Sequence, residues 1–303
     1  MHETHLKVSN KMPNVTGIEQ SVQLFQIIIY IPTFIFGLIF NLMALWMLVF
    51  RIKKWTEATT YMATLIGFDS LLLITLPFKI TAYIVGDRWT LGTGVCTFLE
   101  SLYFVNMYGS IFISLCICID RYIAIQFPLS SKAWRSPKKA TAVCTLVCII
   151  VWGGSSGFVF KLRNSADLHC FHGFSHATWT SIQLVILLEL MFLLSAVLII
   201  FCTGHILHTL KMKIQDDLHC ASRGQEKSRK ILLANLLTFL FSFGPFHLSL
   251  LLYFLVKNGF ISQVYTKPLR IFIQVSLCTA NTNCFLDGVC YYCVLKQYLK
   301  TDR

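Results

Sequence analysis

From Cys96 to Tyr122 the chain reads CTFLESLYFVNMYGSIFISLCICIDRY. No residue between Glu100 and Asp120 carries a charge. At 1.5 Å of rise per residue, a helix would separate Cys96 from Arg121 by about 37 Å. Crossing the hydrocarbon core of a bilayer takes about 20 mainly apolar residues as helix, because each backbone N–H and C=O must find its partner within the segment. The stretch therefore predicts a transmembrane helix with a cysteine near one end and Asp120-Arg121-Tyr122 at the other.

Working outward, similar apolar runs occupy roughly 22–50, 58–83, 139–160, 179–209, 229–256 and 268–293, with 95–122 as the third of seven. They predict an all-α protein: a seven-transmembrane helix bundle. Composition agrees. Of 303 residues, 55% are hydrophobic and only 13% charged, and the mean hydropathy is +0.65. A soluble domain carries about twice that charge. The net charge of +12 does not point to nucleic acid, since the basic residues lie between apolar runs and form no stripe. No repeat or low-complexity tract interrupts the pattern. The expected organisation is a polar N-terminus over 1–21, the bundle over 22–293 and a short tail over 294–303. The polar start carries no cleavable apolar segment, so the first run is expected to serve as both targeting signal and span.

Loop charge gives an orientation. Seventeen of the 26 Lys and Arg residues fall on one side, in the groups 51–54, 121–139, 211–230 and 296–303. The positive-inside rule then puts the N-terminus outside and the C-terminus in the cytoplasm, as for a multi-pass plasma-membrane protein. Asn14-Val15-Thr16 is a glycosylation sequon usable only outside. Of twelve cysteines, only Cys96 and Cys170 fall at outer positions, so an outer disulfide would have just these two partners.

Ionisable groups at membrane depth are costly and mark function by default. Asp69 sits in the middle of span two and Asp287 late in span seven, with Asn41, Asn106, Ser110 and Asn283 on neighbouring spans. Oxygen donors of this kind suit a hard cation such as Na⁺; a hydrogen-bonded network that only packs helices is the other reading. Span six carries Phe239, Phe243 and Pro245, bulky rings beside a residue that bends a helix.

Taken together these residues resemble the rhodopsin-like family of G-protein-coupled receptors. The resemblance rests on Asn41, Asp69, Trp89 with Cys96, Asp120-Arg121-Tyr122, Trp152, Phe239-x-x-Ser-Phe-Gly-Pro245 and Asp287-Gly-Val-Cys-Tyr291, in order and each on its expected span. Tyr298 fits the short cytoplasmic amphipathic helix, the eighth, that follows the bundle in this family. Within it, four segments resemble the branch of purinergic and lysophospholipid receptors: Leu76-Pro-Phe-Lys79, 102–110, Arg135-Ser-Pro-Lys138 and 283–292.

The resemblance implies that an agonist enters between the outer helix halves and span six swings outward. Arg121 then leaves Asp120 to contact a heterotrimeric G protein, of the G12/13 or Gq class. The ligand expected is a lysophosphatidylinositol-like anionic lipid, or another small anionic agonist. Lys79 lies ten residues beyond Asp69, in the outer half of span two, and Arg88, Lys161, Arg163, Lys257, Lys267 and Arg270 can add positive potential at the same mouth. Tyr103, Phe104, Tyr108, Phe243 and Phe246 are candidates for the apolar lining. Glu100, one turn before Tyr103, can pair with Lys79 or hold inositol hydroxyls. Nucleotides or other lysophospholipids would use the same cations.

Several positions depart from the family pattern. Spans four and five lack their usual proline, with Ser195 near the expected place. Gly288 follows Asp287 where the family has Pro, Thr203 stands where Tyr is common, and Gln225-Glu226 occupies the position from which span six often locks Arg121. A divergent, weakly signalling receptor is therefore a second reading. His169, His172 and His176 flank Cys170 with spacing that can hold Zn²⁺, but they read better as a solvated loop, and no metal site is expected. His205 and His208 read as interfacial anchors, and Cys293 as a palmitoylation candidate. Rival classes lack their signatures: no Lys stands near Asn281 for retinal, no His box or nucleophile–base pair for an enzyme, no paired broken helices for a transporter.

Overall fold

The computed structural model describes residues 17–52, 55–85, 89–162, 170–171, 182–216 and 222–301, which are helical almost throughout. In chain order the helices are α1 (Gly17–Phe50), α2 (Glu57–Ile84), α3 (Gly92–Gln126), α4 (Pro128–Trp134), α5 (Pro137–Leu162), α6 (Ile182–Asp216), α7 (Ser222–Lys257), α8 (Thr266–Asn281) and α9 (Asn283–Thr301). Among the described residues there is no strand. Asn14, Arg88, Arg163, His169, His172 and His176 lie outside the described residues, as do the side chains of Lys161, Gln225, Glu226 and Tyr298.

Among the described residues six helices are long and apolar enough to cross a membrane: α1, α2, α3, α5, α6 and α7. The seventh expected span differs. It is divided at Thr282 into α8 and α9 and carries Lys267, Arg270, Gln274, Asn281, Asn283 and Asp287. Its apolar character is diluted because polar groups turn inward: Ser276, Asn281, Asn283 and Asp287 are all buried. The helix continues past the bundle to Thr301, so residues 294–301 are helical as expected. One short helix, α4, stands where the sequence was read as loop; Pro128 at its first turn costs no hydrogen bond there and presets the helical φ.

Local sequence explains several ends. Thr56 caps α2 with a reciprocal box: its hydroxyl accepts from the Thr59 backbone N–H, and the Thr59 hydroxyl accepts from the Thr56 N–H at 2.8 Å. Pro32, Pro77 and Pro245 lie inside α1, α2 and α7, where each removes a backbone donor and invites a bend.

The helices close into a ring. α1 packs on α2 and α9, α2 on α3 and α5, α3 on α5 and α6, α6 on α7, and α7 on α8. α3 is the axial member, with 61% of its most apolar window buried against 28% for α5. Leu65, Phe68, Val105, Ile111, Phe243 and Phe246 fill the centre, while Leu24, Phe36, Leu190, Leu194 and Phe241 face outward. An apolar exterior of this extent belongs in lipid.

Two close approaches need glycine. A Cβ on Gly109 of α3 would lie 2.7 Å from ring atoms of Phe68 in α2. A Cβ on Gly288 of α9 would meet Phe40 Cβ and Asn41 Nδ2 at 3.1 Å. This accounts physically for glycine after Asp287: α1 and α9 meet there backbone to backbone. Gly67, by contrast, has nothing within 4 Å of its added Cβ. Gly109→Ala should therefore destabilise the solubilised protein by about 1–3 kcal/mol through overpacking. Gly67→Ala should be neutral or slightly stabilising. Thermal unfolding of the two variants in detergent checks the contrast.

Candidate functional site

Functional side chains gather at three levels along the bundle. At the Cys96 end, a disulfide joins Cys96 in α3 to Cys170, 74 positions further along the chain, with Cα atoms 5.7 Å apart. Cys96, Glu100 and Cys170 have ligating atoms close together, but both sulfurs are committed to each other, so the group offers no thiolate to a metal. Glu100 holds the next residue of the same loop: its Oε1 accepts the Phe171 backbone N–H at 2.9 Å. Phe171 sits at φ 66°, a conformation that costs a non-glycine residue of order 1–3 kcal/mol. The ring it positions packs edge-on against Trp89 and Tyr103, with centroids 5.9 and 6.0 Å away.

Lys79 stands inside this group. It was expected at an outer mouth, yet it is only 3% exposed. Its Nζ donates to the Tyr30 hydroxyl at 3.2 Å. It also lies 4.8 Å from the Tyr103 ring centre, 5.0 Å from Tyr30, 5.8 Å from Tyr83 and 5.9 Å from Phe171. Ammonium groups are attracted to ring faces at this range. Among the described residues no carboxylate forms an ion pair with Lys79. Asn281 of α8 donates to the same Tyr30 hydroxyl at 3.2 Å, tying the cage to the seventh span. Sequence reasoning missed Tyr30, Tyr83 and Phe171, because nothing in a run of helix says which faces will meet across the bundle.

The other expected lining residues fall into a second group. Tyr108 meets the His247 ring edge-on at 6.0 Å. His247 also packs edge-on against Phe246 at 5.4 Å and stacks on Phe192 at 4.0 Å. Phe243 and Phe246 are both 1% exposed and belong to the packed core. Phe104 is half-buried against that core, and Arg270 is exposed on α8. The single pocket inferred from sequence is thus two neighbourhoods, one around Lys79 and Tyr103, the other around Tyr108 and His247. The second contains a buried pair that sequence reasoning overlooked: His247 Nδ1 lies 3.3 Å from Glu189 Oε1. Glu189 could have been found as an acidic residue inside the apolar run of span five.

At mid-bundle, Asp69 is fully buried and its Oδ1 accepts the Asn106 amide at 3.2 Å. Its Oδ2 has no protein partner, nor have Ser110 Oγ and Asn41 Oδ1. Asn283 donates to Asp287 Oδ2 at 2.6 Å. The Asn41 amide donates to the carbonyls of Gly37 and Cys284, at 2.9 and 2.8 Å. A cavity of about 40 Å³ adjoins Asp287, Asn283 and Tyr291, and Ser114, Thr203 and Asn235 also line it. The expected polar set is therefore present as two bonded pairs, Asp69–Asn106 and Asp287–Asn283, with three orphaned buried oxygens. Phe239, buried in the core, stacks on Phe192 at 6.0 Å and meets Phe243 edge-on at 5.5 Å.

At the far end of α3 the expectation that Arg121 rests on Asp120 is corrected. Asp120 is chelated by Arg135, the residue that ends α4: Nε donates to Oδ1 at 2.7 Å and Nη2 to Oδ2 at 2.9 Å. The reason is geometric. Arg135 approaches Asp120 head-on with both donors and outcompetes Arg121, whose side chain leaves the helix about 100° further round and would have to bend back to reach the same oxygens. The Asp120 hydrogen bonds hold the Arg135 pKa above its ordinary value. Tyr122 packs on Phe127, Phe201 and His205 at 6.2, 6.2 and 5.6 Å. Cys293 is an exposed free thiol.

A ring of seven spans whose axial helix carries a disulfide at one end and Asp-Arg-Tyr at the other defines a class of membrane receptor. Residues 40–291 match the model of the 7 transmembrane receptor (rhodopsin family), and the chain belongs to that family. It is 35% identical to G-protein coupled receptor 55 of Homo sapiens over 294 residues, covering 95% of this chain and 90% of that one. It is 34% identical to Lysophosphatidic acid receptor 6 of Homo sapiens over 268 residues, with 86% and 77% covered. With G-protein coupled receptor 35 of Homo sapiens the identity is 29% over 265 residues, 87% and 82% covered. The chain is thus a multi-pass membrane receptor of the G-protein-coupled class, with relatives among lysophospholipid receptors.

The Cys96–Cys170 bridge closes a long loop and should stabilise by about 4 kcal/mol in the chain-entropy account. Replacing both cysteines with alanine should lower the melting temperature of the solubilised receptor and its surface amount, as read by thermal unfolding and flow cytometry.

Proposed function

We propose that the chain senses an extracellular anionic lysophospholipid, of the lysophosphatidylinositol type, and passes the signal to G12/13 or Gq proteins. One observation carries this reading: Lys79 is buried, ringed by aromatic faces and, among the described residues, in no contact ion pair with a carboxylate, Glu100 acting on it only at longer range. Such a charge is stabilised by an anion, and a phosphate offers charge-assisted hydrogen bonds at close range. The aromatic faces of Tyr83, Tyr103 and Phe171 suit the apolar part of the same ligand. Relatives named as lysophosphatidic acid receptors support the class.

The charge asymmetry of the loops supports an N-terminus outside, so the Lys79 cage faces the outer medium and Asp120 the cytoplasm. Phe171, held by Glu100 and with its ring 5.9 Å from Lys79 Nζ, is one ring that a ligand seated on Lys79 would meet. The ligand shifts the receptor only by its difference in affinity for the two states. Its binding energy must therefore be realised more fully with α7 displaced, where Pro245 and the Phe239–Phe243 contact permit repacking. Lys79→Ala should weaken a lysophosphatidylinositol agonist by roughly tenfold or more, about 1.4 kcal/mol, at normal surface amount. Calcium and Rho activation in cells given lysophosphatidylinositol, lysophosphatidic acid or nucleotides reads this. A response to nucleotides alone, or undiminished potency in the variant, overturns it.

The orphaned Asp69 Oδ2 and Ser110 Oγ fit a Na⁺ ion, which prefers oxygen donors. A cation there would offset the buried carboxylate and favour the arrangement in which these groups stay together. Raising NaCl, with choline chloride keeping ionic strength constant, should weaken agonist binding. Asp69→Asn should abolish that dependence; a dependence that persists in the variant rules out this site.

A further inference from the structure

Asp120 precedes Arg121 in the chain, yet both of its carboxylate oxygens are taken by a residue from beyond α4. Arg135 reaches Oδ1 at 2.7 Å and Oδ2 at 2.9 Å, and its Nη2 also lies 3.4 Å from Glu57 Oε2 in the first turn of α2. The two-pronged guanidinium–carboxylate pair is the strongest geometry open to these groups. It is also sheltered: the Asp120 side chain is 7% exposed, Glu57 16% and Arg135 23%. Arg121 is half-buried and, within the described residues, makes no hydrogen bond or contact ion pair, so that Asp120 and Glu57 act on it only at longer range. One guanidinium thus joins α2, α3 and the α4–α5 junction, and it fills the carboxylate that stands beside the other.

We propose that Arg135 is a positioning residue for G-protein coupling, which keeps Asp120 occupied and so leaves Arg121 available to a G protein before any agonist binds. The clamp acts in two ways. It seats α4, the helix between spans three and four, against the ends of α2 and α3. It also occupies both oxygens of the carboxylate next to Arg121 in the chain. The consequence is agonist-free signalling set by Arg135. This rests on the family's coupling to G proteins and on the Asp120 end facing the cytoplasm, and is independent of the lysolipid reading. A receptor indifferent to every lysolipid would leave it intact.

The test uses membranes from cells expressing the full chain, with surface amounts matched through a tag at residue 1. Nucleotide exchange without agonist is measured on each of the four Gα classes. The native receptor should drive measurable exchange on at least one class. Arg135→Ala should lower it by about fivefold or more, because the freed Asp120 then engages Arg121, and adding Asp120→Asn should restore it to within about twofold of native or above. Arg135→Lys, a point charge without the fork, should fall between. Absence of agonist-free exchange by the native chain overturns the proposal, as does an Arg135→Ala variant with unchanged or raised exchange. A loss that Asp120→Asn does not restore also overturns it, since Arg135 would then merely staple the loop.

Discussion

A peptide group inside hydrocarbon finds no water to bond, and each unpaired one costs several kcal/mol. That constraint makes α1, α2, α3, α5, α6 and α7 continuous helices. It also governs the polar side chains the bundle admits. Inside the ring, Gln26 donates to the Gln274 carbonyl at 2.9 Å, Asn41 to the Cys284 carbonyl at 2.8 Å, and the Ser249 and Ser276 hydroxyls meet at 2.7 Å. Each of these bonds joins the seventh span to another helix. The least apolar span is thus kept at membrane depth by neighbours that satisfy it, and it breaks at Thr282 where that polar load is greatest.

Among the described residues Asp69 Oδ2, Ser110 Oγ and Asn41 Oδ1 are buried without hydrogen-bond partners, as are the Tyr108 hydroxyl and His247 Nε2. Lys79 lies among rings and donates to the Tyr30 hydroxyl, with no carboxylate in direct contact among the described residues. These groups lie on the helices that border the interior. α3 connects them. The same helix carries Cys96 at its start, Tyr103, Asn106, Tyr108 and Ser110 along its length, and Asp120 and Arg121 at its end. A change of packing around α3 at one membrane face therefore reaches the other through a single stiff element. Aromatic contacts from His247 through Phe192 to Phe239 and Phe243 give α6 and α7 a repackable seam beside it.

Much of this was legible in the residues, and the part that was not shares one cause. Spans one to six are written as runs of apolar residues, and the seventh only as a weaker run whose polar members hint at inward-facing roles. The cysteine pairing was readable because only two cysteines stand at outer positions. Asp69 and Asp287 announced themselves as charges at membrane depth. Glu189 carried the same signal but drew no attention without its partner, since His247 lies 58 residues away on another helix. The aromatic cage of Lys79, drawn from α1, α2, α3 and the loop after α5, left no local trace at all.

The amino-acid sequence by itself determined that the chain crosses a membrane as a helical bundle and which polar residues enter it, because solvation acts on each segment separately. Only the tertiary structure decided which groups share a site: that Lys79 is caged and buried, that Tyr108 faces His247, that Asp120 belongs to Arg135 and not to Arg121. Partnership across helices depends on how each helix is rotated about its axis and how closely Gly109 and Gly288 let neighbours approach. Those rotations are settled by the packing of all the spans at once, so no single stretch of chain encodes them.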